Sequence, residues 1–175
     1  MLTDRWLIRD ANELLPRDEA RRLLLSDESD DRPIVLVSGS GRAEEVEEMR
    51  DTARLLTETF SESAHAYFSS PIESDEQVNR WPLLQLFAGI DVIVGAGGYN
   101  TVSEARATGI PLIAFARGRM YDRQRLRLLD DQVVTCHDDL LLQLQDALKA
   151  STRRRQIPSF TNGTHQAVEF VKGTA

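Results

Sequence analysis

The sequence has one cysteine and three histidines, and aromatic side chains make up 6% of its 175 residues. A lone cysteine excludes an internal disulfide, and the histidine spacing fits no structural zinc site. Basic residues are also scarce, because 21 Lys and Arg stand against 28 Asp and Glu, a formal net charge of −7. That sign argues against a whole-surface binder of nucleic acid or anionic membranes. We therefore expect a reducing compartment, no resident metal and no nucleic-acid partner.

Long hydrophobic runs are missing as well. No stretch approaches the roughly 18 apolar residues that a membrane-spanning helix needs. Charged residues interrupt positions 1–15, so these positions lack the apolar region of a signal peptide. With 41% hydrophobic and 28% charged residues, the composition is that of a folded globular chain. We expect a cytoplasmic protein.

What the chain does have is an alternation of short aliphatic runs with longer amphipathic segments. The aliphatic runs predict strands at 34–37, 64–68, 92–94, 112–115 and 133–135. Short runs that are apolar throughout are typical of strands buried on both faces. Repeated strand–helix units of this kind predict an α/β fold with an open, mostly parallel sheet.

The segments between the strands carry helical periodicity. The clearest stripe lies within 46–60, and shorter helices are predicted at 83–87, 101–107, 126–129 and 140–148, with a last one around 167–171. Pro16 followed by acidic residues predicts the start of a first helix. Residues 1–15 therefore resemble a linker, and residues 16–175 form the expected domain.

Ligands of open α/β sheets bind beyond the carboxyl ends of the strands. The first such end carries Gly39, Ser40 and Gly41, where glycines permit close approach of a phosphate or sugar. A tight strand-to-helix turn explains this loop equally well. Glu44 stands where a dinucleotide fingerprint needs its third glycine, and no Gly-Lys-Ser/Thr follows.

The second strand end carries three glycines in four residues, Gly95, Gly97 and Gly98, ahead of a helix predicted to begin near Asn100. Glycines leave this loop free to adopt positive φ, and the first helical amides favour an anion. Glu104 follows within the helix, where its carboxylate can accept hydrogen bonds from vicinal ribose hydroxyls. It also completes a Thr-x-x-Glu capping box with Thr101, and the two roles are compatible.

The third strand end concentrates positive charge in an acidic chain, from Arg117 through Arg119 and Arg123 to Arg125 and Arg127. Such charge supports a nearby diphosphate, and a solvated helix face paired to acids is the alternative. Asp122 and Gln124 supply an acceptor and an amide that can read sugar hydroxyls. None of the three histidines stands near a nucleophile at a suggestive spacing, so they are weak candidates.

Three segments together resemble the nucleotide-sugar half of family 28 glycosyltransferases, which include the peptidoglycan lipid-linked N-acetylglucosaminyltransferase. They are Val92–Ala105, Gly109–Leu112 and Tyr121–Gln124. The resemblance implies a GT-B architecture, in which two Rossmann-like domains flank a cleft and the carboxyl-terminal one holds the donor. It further implies a metal-independent, inverting transferase that uses a UDP-sugar as substrate and needs no cofactor.

The resemblance also implies roles for individual residues. The diphosphate loop comprises Gly97, Gly98, Tyr99, Asn100 and Thr101. Glu104 binds ribose, Asp122 and Gln124 read the sugar, the Gly39–Gly41 turn faces the cleft, and Arg80 with Trp81 encloses the base. Two positions depart from the family pattern, since Ala96 replaces a frequent arginine and Arg125 replaces a second glutamine.

Family members carry a further domain with the acceptor site and the catalytic base, and no counterpart is recognised in this sequence. We therefore expect the chain to transfer a hexosyl or N-acetylhexosaminyl group only together with an acceptor-binding half or a partner subunit. Any peripheral attachment to the inner membrane would come from that half or that subunit. The isolated chain is expected to be inactive and to self-associate through an uncovered cleft face. The alternatives are a non-catalytic nucleotide-sugar-binding module and a sugar-nucleotide epimerase.

Overall fold

The computed structural model describes residues 8–25, 27, 29–39, 43–70, 82–118, 123–150 and 157–173, apart from the side chain of His165. The five strands are β1 (Ile34–Ser38), β2 (His65–Ser69), β3 (Val92–Ala96), β4 (Leu112–Phe115) and β5 (Val133–Val134). The α-helices are α1 (Arg17–Leu24), α2 (Ala43–Phe60), α3 (Tyr99–Thr108), α4 (His137–Ala150) and α5 (Thr164–Lys172). Short 3₁₀ helices span Ala11–Glu13, Leu83–Gly89, Gln124–Arg127 and Asp130–Gln132.

All five strands pair in parallel in the order β2-β1-β3-β4-β5. β1 and β3 lie at the centre of the sheet, and their aliphatic runs are buried on both faces, whereas β2 is half-buried over His65–Tyr67. Each face has its own apolar cluster: α1, α3 and the Leu83–Gly89 helix cover one face, and α2 and α4 cover the other. The predicted Rossmann-like α/β fold with helices on both faces is therefore confirmed.

Two of the predicted short helices differ from expectation in type. The segments around Leu84 and Leu126 form 3₁₀ helices instead of α-helices. At the first of them, a Cβ on Gly89 would lie 3.0 Å from the Cβ of Ala20, so α1 packs directly on this turn. That close packing accompanies the tighter helix.

The segment ahead of α1 contacts the rest of the fold. Ile8 is buried, Leu14 and Leu15 pack against the core, and the Leu15 amide donates to the Gln85 carbonyl at 3.0 Å. The part of this linker-like segment that the structure describes is thus held along the face that α1 and α3 cover.

The last helix, α5, is attached more weakly. It contains no buried side chain among those described, and Val168, Phe170 and Val171 are exposed. It ends at Gly173, whose positive φ of 69° forms a left-handed C-cap. None of the described helices has the length and apolar character to span a bilayer.

Candidate functional site

The strand order creates a crevice at the carboxyl ends of β1 and β3. The chain leaves β1 toward β2 through α2, whereas β3 continues through α3 to β4 on the other side. Loops that depart in opposite directions open a ligand crevice at that point of a parallel sheet. Ser38 and Gly95 are register neighbours there, and a Cβ on Gly95 would lie 3.3 Å from the Ser38 carbonyl oxygen. Glycine therefore keeps the two strand ends close together.

The turn after β1 begins at Gly39, whose amide donates to the Ser69 carbonyl at 2.8 Å. A Cβ at this position would lie 2.8 Å from the Phe68 ring, so glycine is required by packing. Ser40 and Gly41 lie outside the described residues. The structure thus gives Gly39 a packing role at the crevice, and the proposed ligand role of this turn stays a prediction.

The loop after β3 differs from expectation in its backbone. Among the described glycines only Gly109 and Gly173 have positive φ, so the prediction of positive φ in this loop was wrong. Gly98 has φ −65° and ψ 152°, which any residue can adopt, and it is the N-cap of α3. The glycines in this loop allow neighbouring atoms to lie close to the backbone, and they do not form a left-handed turn.

Gly97 and Gly98 have opposite surroundings. A Cβ on Gly97 would lie 2.9 Å from Leu128 Cδ1 and 3.0 Å from Gln124 Cβ, so packed side chains fill the space beside it. A Cβ on Gly98 would meet no atom within 4 Å. The loop is thus supported at Gly97 and open at Gly98, next to the first amides of α3.

Helix α3 begins at Tyr99, and the Gly98 carbonyl accepts the Val102 amide at 3.0 Å. The preceding amides, those of Tyr99, Asn100 and Thr101, have no acceptor within the helix because they form its first turn. Tyr99 and Asn100 are exposed and Thr101 is half-buried. The residues predicted to hold a diphosphate therefore surround one helix N-terminus that faces the open side of Gly98.

Glu104 lies in the second turn of α3, and it is half-buried. Burial raises the pKa of its carboxyl to about 7, with the positive charge of Arg9 acting in the opposite direction. The predicted capping box with Thr101 is contradicted, because the N-cap is Gly98 and no side chain caps this helix. Within the described part of the chain, no side chain or amide hydrogen bonds to this carboxylate. Glu104 is therefore a partly desolvated acid without a hydrogen-bond partner in this part of the fold.

Gln124, predicted to read a sugar, is buried beneath the glycine loop. Its Oε1 accepts the backbone amide of Arg117 at 2.9 Å, and its Cβ lies next to Gly97. This side chain therefore joins the loop after β4 to the loop after β3. Its partner in the prediction, Asp122, lies outside the described residues, as do Arg80 and Trp81 of the predicted base region. These sugar and base contacts stay predictions.

Two roles were expected for the arginines after β4, namely support of a diphosphate and pairing with acids on a solvated helix face. Arg117 pairs with Glu48 at 2.7 Å, and Arg125 pairs with Asp130, an acid that is 97% exposed. Arg127 instead extends to the Gly97 carbonyl at 3.5 Å. Two of these guanidinium groups are thus paired with acids, and one approaches the glycine loop; Arg119 lies outside the described residues.

A second concave region was missed by sequence reasoning. It is a pocket of about 670 Å³ at the carboxyl ends of β4 and β5, lined by side chains that include Glu48, Phe115, Arg117, Arg125, Val134 and His137. His137 Nε2 lies 3.2 Å from Thr52 Oγ1, and its ring contacts Phe115 edge-on. The available signal was that His137 directly follows the fifth strand, at the same edge of the sheet as the glycine loops. We call this region the β4–β5 pocket.

Comparisons with known proteins give a limited result. No protein-family model matches the chain, and no curated protein matches it. Among solved structures, the chain is similar to the glycosyltransferase SnogD from Streptomyces nogalater, with 16% sequence identity and a TM-score of 0.42. The match covers 92% of this chain and 56% of that one, so the chain spans a little over half the length of SnogD.

Proposed function

We propose that this chain is the donor-binding half of a UDP-sugar-dependent glycosyltransferase of the GT-B type. The observation that carries the proposal is Glu104, a half-buried acid behind an open helix N-terminus with no hydrogen-bonding partner among the described residues. Desolvating a carboxyl without satisfying it is costly to a fold. A ligand that supplies hydroxyl donors at this point removes that cost.

The diphosphate is assigned to the loop at Gly98 and the first turn of α3. An anion at a helix N-terminus gains from free amides and from the positive end of the dipole. The open space at Gly98 permits close approach of a phosphate, which a side chain there would obstruct. Gly97, seated on Leu128 and Gln124, supports the same loop from the protein side.

The ribose is assigned to Glu104. A carboxylate accepts two or more hydrogen bonds, so one side chain can receive both vicinal hydroxyls of a ribose. The ionised form is the acceptor, and burial disfavours that form in the empty protein. Nucleotide binding and ionisation of Glu104 are therefore linked.

The acceptor and its catalytic base are assigned to a partner domain or subunit. Displacement at the anomeric carbon requires an aligned acceptor and a base that removes its proton, and orientation alone supplies roughly 7–11 kcal/mol of the barrier. The groups described at the crevice bind phosphates and hydroxyls, and each has a binding role. We therefore propose that this half holds the donor while the partner holds the acceptor, without a cofactor.

Isothermal calorimetry with UDP tests the assignment. We expect Glu104→Gln to weaken binding about 10- to 150-fold, because charge-assisted hydrogen bonds are worth about 1.5–3 kcal/mol. The matched control is Glu58→Gln, which changes an exposed acid on α2 and should leave the affinity unchanged. Equal UDP affinity for the Glu104 variant and the unmodified protein would remove Glu104 from the site and the main support for the proposal.

A further inference from the structure

The β4–β5 pocket lies on the face of the sheet that α2 and α4 cover, whereas α3 and Glu104 lie on the other face. Phe115 and Val134 supply apolar surface to the pocket, and Glu48, Arg117 and Arg125 supply charge. An apolar floor with a few charged groups at the rim is the usual composition of a small-molecule site. The diphosphate and ribose assignments under the proposed function use none of these side chains.

The pocket is nevertheless adjacent to the diphosphate loop. Neighbouring strands lie about 4.8 Å apart, so the ends of β3 and β4 are separated by about that distance. Gln124 joins the two loops directly, through its bond to the Arg117 amide and its contact beside Gly97. The loop after β3 is therefore connected through Gln124 to the loop whose Arg117 lines the pocket.

Each of the two arginines that line the pocket forms an ion pair with an acid, and the two ion pairs differ in their exposure to solvent. Arg117 and Glu48 are 25% and 45% exposed, whereas Arg125 and Asp130 are 51% and 97% exposed. Ion pairs between exposed groups contribute only about 0–1 kcal/mol, so Arg125 can exchange Asp130 for another carboxylate at little cost. A guanidinium matches a carboxylate in bidentate geometry, which makes Arg125 the group best able to select an anionic ligand.

We propose that the β4–β5 pocket receives the sugar ring of the donor and that this sugar carries a carboxylate, as in a hexuronic acid. This inference rests on the proposed function. Arg125 receives the sugar carboxylate, and Glu48, held in place by Arg117, accepts ring hydroxyls. The Phe115 ring supplies apolar surface to the C–H face of the sugar. The anionic sugar is selected by charge, and a neutral hexose is not.

The test compares UDP, UDP-glucose and UDP-glucuronate by calorimetry on the full chain. The two UDP-sugars differ only at carbon 6, which is a hydroxymethyl group in one and a carboxylate in the other. We expect UDP-glucuronate to bind up to about fivefold more tightly than UDP-glucose, because an ion pair at an exposed guanidinium is worth about 0–1 kcal/mol. Arg125→Gln should abolish this preference while UDP is still bound. Arg22→Gln, an exposed charge change on α1, should preserve the preference.

The outcomes separate the two proposals. If UDP binds but the unmodified protein holds both UDP-sugars equally, the anionic-sugar inference is overturned and the proposed function stands. If the preference persists in Arg125→Gln, the assignment to this pocket is overturned. If neither UDP nor either UDP-sugar binds, the proposed function itself fails, and this inference fails with it.

Discussion

Asp91 and Glu104 are two poorly exposed acids in opposite situations. Asp91 stands just before β3 and is 5% exposed. Its carboxylate accepts the Ile34 amide at 2.8 Å and pairs with Arg17 at 2.8 Å and Arg21 at 3.5 Å. It therefore ties α1 to the two central strands, with every contact supplied by the fold.

Glu104 is also removed from water, but the described residues supply only the distant charge of Arg9. Under the proposed function, the fold uses Asp91 for its own stability and keeps Glu104 for the ribose of a ligand. The two residues should therefore respond differently to mutation.

The largest expected effect is on stability at Asp91. Asp91→Ala leaves the Ile34 amide and two guanidinium groups without their acceptor, and removal of one partner from such a buried pair costs about 3–5 kcal/mol. Urea unfolding measures the loss. Asp91→Asn, which keeps one acceptor oxygen, should lose less, and Asp51→Ala at an exposed pair on α2 should change little. A small change in the free energy of unfolding for Asp91→Ala would contradict the stabilising role given to Asp91.

A second prediction applies the same contrast to the two neighbouring glycines. Gly97→Val drives a side chain into Leu128 and Gln124, and such overpacking costs about 1–3 kcal/mol of folding free energy. Gly98→Val enters open space with an allowed φ, so the fold should be retained while phosphate approach is obstructed. Thermal unfolding and UDP calorimetry on both variants measure the two effects. A folded Gly98→Val protein with unchanged UDP affinity would show that this loop is only a turn.

The smallest expected effect is a dependence of ligand affinity on pH, which arises from the ionisation of Glu104. Its pKa of about 7 in the empty protein means that below pH 7 the ligand must first displace a proton. Affinity should therefore rise with pH by up to about tenfold between pH 6 and 8, with its midpoint near 7, and level off above pH 8. UDP-glucose is the suitable ligand, since its esterified phosphates lack the ionisation near pH 6 of a terminal phosphate.

Two variants sharpen this pH prediction. Glu104→Gln should bind weakly and with no pH dependence over the same range, because the amide does not titrate. Arg9→Gln should move the rise in affinity to higher pH, because Arg9 holds the Glu104 pKa down. A pH profile of the unmodified protein that matches the Glu104→Gln profile would contradict the assignment.

The central strands β1 and β3 were predictable because each is short, aliphatic and buried on both faces, whereas the edge strand β2 is half-buried over His65–Tyr67. The predicted run 112–115 coincides with β4 to the residue, and the α2 stripe at 46–60 lies within the observed helix. The type of the short helices was not predictable, since the 3₁₀ form of Leu83–Gly89 accompanies tertiary packing against Ala20. The local sequence pattern therefore identified the strands and helices, whereas long-range packing accompanied the 3₁₀ type of a short helix.

The sequence predicted that the glycine loop follows β3 and that Glu104 lies within the next helix, but it did not predict the environment of these residues. Glycines followed by a helix with an acid indicated where a ligand could bind, but nothing local showed that Gly97 is filled and Gly98 open. The burial of Gln124 and the charge of Arg9 near Glu104 both depend on segments that are distant in sequence. Asp91 was not identified from the sequence, because its partners Ile34, Arg17 and Arg21 are distant from it in sequence.

The weak attachment of α5 has a consequence for the kinetics of amide hydrogen exchange. An isolated helix of nine residues is marginal in water, and α5 gains no buried side chain among those described. Its amides are therefore expected to exchange through local opening, whereas those of β1 require a much larger disruption of the molecule. One exchange experiment would then report two free energies, one for the detachment of a single helix and one for the sheet that holds the crevice together.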